Sequence, residues 1–144
     1  MFVSLGSGWP RWKTNERYWQ EHHMTQILIV EDSPTQAAHL EAILRSKAYG
    51  VRVFAHAGAA LDEIDAGATF DLYLLDVTMP VGELHGLALA RMIKTRFSNA
   101  RIIFVTADPG LVSDLDKKLG PVFPKTIDFI ELLNEIERQL AKGP

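Results

Sequence analysis

The sequence predicts an α/β fold, a doubly wound (βα)5 domain built on a five-stranded parallel sheet. Short continuous apolar runs, typical of strands covered on both faces, alternate five times with segments of helical periodicity after Met24. The length of 144 residues suits one domain, and this alternation occupies most of it.

Each predicted strand is a short run of mostly apolar residues bounded by glycine, proline or a polar side chain. The strands are Ile27–Val30, Val51–Ala55, Leu72–Leu75, Ile102–Val105 and Val122–Phe123. Because helices separate them, right-handed crossovers and parallel pairing are expected.

The predicted helices carry apolar residues three and four positions apart and begin at capping side chains. Ser33 is the expected N-cap of the first helix and Asp128 that of the last. Asp108 is expected to cap a weaker helix that runs to about Leu119. The second and third helices are predicted at Ala59–Ala66 and Gly86–Arg96.

Composition excludes several classes of function. The chain has no cysteine, which removes thiol nucleophiles and thiolate metal sites and fits a cytoplasmic location. A net charge of −3 argues against direct nucleic-acid binding. No apolar run approaches the ~20 residues that a membrane span needs, so we expect no membrane insertion.

Residues 1–24 differ from the rest and are expected to form an N-terminal extension, disordered or partly helical, before a domain at 25–142. The extension holds all three tryptophans and lacks the apolar core of a signal peptide. One hypothesis is that Met24 is the natural start of the protein. The residues before it would then result from a misassigned start site or from cloning. The alternative is a docking tail whose tryptophans anchor a partner.

Polar residues follow four of the apolar runs, where parallel sheets place their sites. They are Glu31, Asp32, Asp76, Thr106 and Lys125. Converging carboxylates repel one another, and a hard cation such as Mg²⁺, which prefers oxygen ligands, would neutralise them. An aspartate can act as a nucleophile toward phosphorus, a lysine can pair with a carboxylate or a phosphoryl oxygen, and a hydroxyl can donate to a phosphoryl oxygen.

Four motifs occur in order at the strand ends: VEDSPTQ (30–36), LLDVTMP (74–80), VTAD (105–108) and FPK (123–125). Together with the (βα)5 pattern, they make the chain resemble the receiver domain of two-component response regulators. The likeness extends from Thr25 to about Lys142 and implies a flavodoxin-like fold.

The resemblance implies a role for each acidic residue. Asp76 corresponds to the phosphoacceptor and is also a ligand of Mg²⁺. Asp32 would bind Mg²⁺ directly, Glu31 mainly through water, and Thr78 through its backbone carbonyl. Lys125 would contact a phosphoryl oxygen.

The resemblance also implies switch and modulating residues. Thr106 would hydrogen-bond the phosphoryl group and move toward it on activation. Thr78 and Asp108 would flank the path of attacking water and so modulate phosphate lifetime. Val122 occupies the position of the family's aromatic switch residue, and Phe123 stands next to it.

Three features depart from the family pattern. The loop after Pro80 is two residues longer than usual before the glycine at position 86. Thr126 replaces the proline that usually follows the lysine through a cis bond, which costs ~3–4 kcal/mol at a non-proline residue. The segment between Thr106 and Lys125 is short, mostly in its helix.

The expected function is that of a single-domain response regulator rather than an enzyme. A histidine kinase or histidine phosphotransfer protein would supply the phosphoryl group, and a downstream protein effector would receive the signal, with a homodimer left open. One alternative is a pseudo-receiver that binds partners without phosphorylation. The other is a phosphohydrolase of the haloacid dehalogenase type, although that family needs a second aspartate where Thr78 stands.

Overall fold

The computed structural model describes residues 24–78 and 85–142. In these ranges, parallel strands form one five-stranded sheet in the order β2-β1-β3-β4-β5. The strands are β1 (Gln26–Val30), β2 (Gly50–Phe54), β3 (Leu72–Asp76), β4 (Ile102–Thr106) and β5 (Val122–Pro124). The predicted fold class is therefore confirmed.

Helices alternate with these strands along the chain. They are α1 (Pro34–Ser46), α2 (Ala57–Asp65), α3 (Gly86–Arg96), α4 (Asp114–Lys117) and α5 (Phe129–Ala141). A single 3₁₀ turn, Pro109–Leu111, precedes α4. Within the described ranges, no helix is long and apolar enough to cross a bilayer.

The sheet separates two apolar layers, which makes the fold doubly wound. On one face α2 and α3 cover the sheet, with Ile64 and Leu89 buried against Tyr73 and Phe104. On the other face α1 and α5 pack through Leu44, Ile136 and their neighbours. The strands β3 and β4 are buried along their whole length, as their uninterrupted apolar sequences predict.

Local capping sets where the helices begin. The Ser33 hydroxyl accepts a hydrogen bond from the backbone N–H of Gln36, as predicted for the first helix. Asp128 accepts from the N–H groups of Ile130 and Glu131 at 3.0 and 3.1 Å, and α5 follows. These local bonds fix the first turn of each helix, and apolar packing places both helices on the same face of the sheet.

The helix predicted from Asp108 to about Leu119 is wrong. Asp108 does accept a bond from Gly110 N at 3.1 Å, but this bond caps a 3₁₀ turn and not an α-helix. Val112 then adopts an extended backbone and is buried in the core, so the chain starts α4 only at Asp114. Burial of one β-branched side chain outweighs a few weak helical bonds in a segment containing proline and glycine.

Two parts of the sequence-based description lie outside the described residues. The N-terminal extension is one, apart from Met24 itself. The other is the loop after Pro80, of which residues 79–84 are not described.

Candidate functional site

The carboxyl edge of the sheet brings a lysine between two buried carboxylates. Glu31 directly follows β1, Asp76 ends β3, and Lys125 directly follows β5. Lys125 Nζ lies 2.8 and 3.0 Å from the two oxygens of Glu31 and 2.9 Å from Asp76 Oδ2. The two carboxylates are almost completely buried, and the lysine side chain is 17% exposed.

Sheet register explains how Lys125 reaches this position. Thr106 pairs with Pro124 in β5, and the Lys125 N–H then donates to the Thr106 carbonyl at 2.8 Å. The peptide bond between Lys125 and Thr126 is cis. The predicted Lys125 side chain thus lies at the same edge as Asp76, although β4 separates their strands.

One ammonium group serves two carboxylates, and the charges do not balance. Burial and a hydrogen bond to Asp76 raise the pKa of Glu31 from 4.5 to about 8, despite the opposing effect of Lys125. Burial lowers the pKa of Lys125, but its hydrogen bonds to Glu31 and Asp76 outweigh burial and raise it overall. The pocket therefore favours a bound proton or an additional cation.

A third carboxylate completes an acidic cluster. Asp32 is exposed, and one oxygen each of Glu31, Asp32 and Asp76 lies within 4.8 Å of the others. Hard carboxylate oxygens are the ligands that Mg²⁺ prefers. With more negative charge than Lys125 neutralises, the donor set fits a divalent cation.

Backbone contacts fix the orientation of Asp76. Its Oδ1 accepts a hydrogen bond from the N–H of Thr78 at 2.9 Å, while Oδ2 accepts from Lys125. Gly86, the first residue of α3, lies so near that a Cβ there would be 2.0 Å from the Asp76 carbonyl oxygen. In the sequence this glycine marks the end of the loop after Pro80 and the start of a helix, and only the structure shows its close approach to Asp76.

Two hydroxyl groups meet beside the carboxylates. Thr106 is completely buried at the end of β4, and its Oγ1 lies 3.2 Å from Thr78 Oγ1. The N–H of Asp108 also donates to Thr106 Oγ1 at 3.1 Å. Sequence reasoning missed the Thr78–Thr106 bond, since the two residues are 28 positions apart and no pattern links them.

Two of the candidate switch residues, Val122 and Phe123, lie on β5 and face opposite sides of the sheet. Val122 packs against the layer under α2 and α3, and Phe123 against the layer under α1 and α5. Both side chains are half-buried. The structure thus places the sequence-predicted site residues at or beside the carboxyl edge, except Val122, which begins β5.

A doubly wound α/β domain with an acidic cluster and a lysine at this edge is the arrangement that the strand-end motifs predicted for a receiver domain. The family model of the response regulator receiver domain matches residues 27–137. The chain belongs to this family, and the resemblance seen in the sequence is confirmed. Its members are generally signalling proteins and not metabolic enzymes.

Curated relatives include Response regulator ArlR of Staphylococcus epidermidis, 33% identical over 124 residues, which cover 84% of this chain and 55% of the relative. The TorCAD operon transcriptional regulatory protein TorR of Escherichia coli is 41% identical over 99 residues, covering 69% and 39%. The chain thus spans about half, or less, of the length of these relatives.

Solved structures show the same fold. The response regulator TrrA of Thermotoga maritima, in complex with Mg²⁺-BeF, has a TM-score of 0.73 and 29% identity, covering 81% of this chain and 99% of TrrA. A structure of histidine kinase ThkA in complex with TrrA matches with a TM-score of 0.72 and 28% identity, covering 82% of this chain and 100% of the matched chain.

Proposed function

We propose that this receiver accepts a phosphoryl group on Asp76 from a histidine kinase or histidine phosphotransfer protein and signals through contact with a downstream protein. The observation that carries the proposal is the Asp76 carboxylate, buried at the sheet edge and held at both oxygens by Lys125 and the Thr78 amide. The complex of TrrA with its kinase ThkA supports the class of donor. The proposed receiver domain comprises residues 25–142, located in the cytoplasm, with residues 1–24 as an extension.

Mg²⁺ is the proposed cofactor. Glu31, Asp32 and Asp76 would hold it, with the Thr78 carbonyl as a further oxygen ligand. When bound, the ion would offset the negative charge of the carboxylates and of the incoming phosphoryl group. The Mg²⁺-BeF complex of TrrA supports this assignment.

Three side chains of the protein have proposed roles in the phosphoryl transfer itself. A carboxylate oxygen of Asp76 attacks phosphorus, an O–P bond forms, and the P–N bond to the donor imidazole breaks with its electron pair left on nitrogen. Lys125, already 2.9 Å from Asp76 Oδ2, is placed to pair with the phosphoryl oxygens. Thr106 supplies a hydroxyl donor from the neighbouring strand, and Val122 and Phe123 are the proposed sites of response.

Labelling with acetyl phosphate and Mg²⁺, followed by intact-mass measurement, tests the proposal. We expect one phosphoryl group per chain, lost in Asp76→Asn and after chelation of Mg²⁺. Asp114→Asn is the matched control, because the Asp114 side chain is fully exposed on α4 and lies outside the acidic cluster. Labelling that persists in Asp76→Asn contradicts the site assignment.

Two other outcomes would identify the alternative functions. A folded wild-type protein that takes up no phosphoryl group from acetyl phosphate or from a phosphorylated kinase would act as a binding module only. Sustained release of phosphate from an aryl phosphate would instead indicate a phosphohydrolase.

A further inference from the structure

The hydroxyl group of Thr106 has no hydrogen-bonding capacity left in this structure. A hydroxyl offers one donor and two acceptor sites. The Asp108 N–H donates to Thr106 Oγ1 at 3.1 Å, and Thr106 Oγ1 donates to the Asp108 carbonyl at 3.3 Å. Either hydroxyl could be the donor in the 3.2 Å contact with Thr78 Oγ1, and because the Thr106 proton goes to Asp108 we assign Thr78 as the donor. The only proton of Thr106 is therefore engaged by the Asp108 carbonyl.

Thr78 connects this hydroxyl to the carboxylate edge. Its backbone N–H donates to Asp76 Oδ1 at 2.9 Å, while its side chain contacts Thr106. On the far side, Asp108 Oδ1 accepts from Gly110 N in the 3₁₀ turn. A continuous series of hydrogen bonds thus runs from Asp76 through Thr78 and Thr106 to the turn after β4.

We propose that Thr78 is a positioning residue whose hydroxyl holds Thr106 in its resting orientation and so opposes the phosphorylated arrangement. This inference rests on the proposed function. To donate to a phosphoryl oxygen, Thr106 must redirect its proton, and a rotated hydroxyl cannot keep all three bonds to Thr78 and Asp108. Bonds present only in the resting state stabilise that state, so removing one shifts the population toward the other.

Calorimetric titration of the Mg²⁺-loaded protein with beryllofluoride measures the effect. Thr78→Val removes one hydrogen bond from the resting state, so we expect this variant to bind beryllofluoride about 2- to 10-fold more tightly than the wild type. Thr78→Ser keeps the hydroxyl and should bind within about twofold of the wild type. Unchanged or weaker binding in Thr78→Val would overturn the inference.

A double-mutant cycle separates this role from a general effect of the valine side chain. In a Thr106→Ala background the Thr78→Val substitution has no partner to release, so it should leave beryllofluoride affinity unchanged. The same fold-change in both backgrounds would show that Thr78 acts independently of Thr106.

A measurement without beryllofluoride keeps the test distinct from the proposed function. In the ligand-free protein, Thr78→Val should shift the backbone amide resonance of Asp108, whose N–H donates to Thr106, whereas Thr78→Ser should not. If no variant binds beryllofluoride, the proposed phosphorylation fails, but this resonance still decides the Thr78–Thr106 contact. An Asp108 amide that is unmoved in Thr78→Val overturns it.

Discussion

Two buried carboxylates, Asp116 and Asp76, have opposite electrostatic surroundings. Asp116 on α4 accepts hydrogen bonds from Arg91 at 2.8 to 3.0 Å and from the Ser113 hydroxyl at 2.9 Å. Arg91 has no other carboxylate partner among the described residues. The bond from Arg91 is the main reason that the pKa of Asp116 lies below its usual value of 3.8.

Among the described residues, Asp76 has one cationic partner, Lys125, and it shares this partner with Glu31. Lys125 contacts both carboxylates, and burial together with Asp76 raises the pKa of Glu31 to about 8. This contrast distinguishes a carboxylate that stabilises the fold from one that belongs to a ligand site. The balanced ion pair between Asp116 and Arg91 connects two helices. An excess of buried negative charge, as at Glu31 and Asp76, instead indicates a site that can bind a cation.

The largest expected effect comes from removing the shared cation. Lys125→Met leaves Glu31 and Asp76 buried together, and we expect the free energy of unfolding to fall by about 4 kcal/mol in urea denaturation. Lys117→Met is the matched control, because Lys117 forms only an exposed pair at 3.8 Å with Asp114 and should change stability by less than about 0.5 kcal/mol. Equal losses in both variants would mean that the site is not electrostatically distinct.

The pH dependence of stability should differ in sign between the two regions. Because the folded-state pKa of Glu31 is raised, its protonation stabilises the folded protein fully below pH 4.5. This stabilisation is lost as the pH rises through about 8. We expect the stability of the metal-free protein, measured by urea denaturation, to fall throughout this window as the pH rises. Asp116, whose pKa is lowered, contributes above 3.8 and loses its contribution as pH falls.

Glu31→Gln provides the control for this pH effect. The amide cannot bind the proton, so the loss of stability between pH 4.5 and about pH 8 should largely disappear. A variant that keeps the full wild-type slope would assign the proton to another group.

Breaking the ion pair between Asp116 and Arg91 should lower the free energy of unfolding without changing ligand affinity at the acidic cluster. Asp116→Asn weakens the bonds to Arg91 and Ser113, and we expect a loss of about 2 kcal/mol in urea denaturation. Affinity for Mg²⁺-beryllofluoride should stay within about twofold of the wild type, since Asp116 lies outside the acidic cluster. A large loss of that affinity would show that the two regions are coupled.

The smallest effect concerns how closely α3 approaches the site. Gly86→Ala puts a methyl group into the Asp76 carbonyl, and we expect a loss of about 1.5 kcal/mol with weaker Mg²⁺ binding by calorimetry. Gly58→Ala on α2 is the control, because a Cβ there meets nothing within 4 Å. This substitution should raise the free energy of unfolding by about 0.5 kcal/mol. Equal stability changes in the two variants would contradict the close approach.

The fold could be predicted largely from the sequence because its signals are local. Apart from the helix after Asp108, predicted strand bounds and the bounds of α2 and α3 agree with the structure within two residues. Apolar runs and caps such as Ser33 act over a few neighbouring residues and need no tertiary information. The helix after Asp108 was mispredicted because burial of Val112, a tertiary contact, decided its backbone.

The site could be predicted as a set of residues but not as a set of bonds. The strand-end motifs identified Glu31, Asp32, Asp76, Thr106 and Lys125 by position alone. No sequence pattern indicated that Lys125 would bridge Glu31 and Asp76, 94 and 49 residues away. No sequence pattern predicted the hydrogen bond between Thr78 and Thr106 or the ion pair between Arg91 and Asp116.

The sequence by itself determined the order of strands and helices along the chain, the caps at Ser33 and Asp128, and the presence of a carboxylate at the end of the buried strand β3. Those features depend on side-chain periodicity and on bonds between near neighbours. Only the tertiary structure decided which charges are shared and which are balanced. Partner choice depends on distances of about 3 Å between groups that sheet register and helix packing bring together from remote parts of the chain.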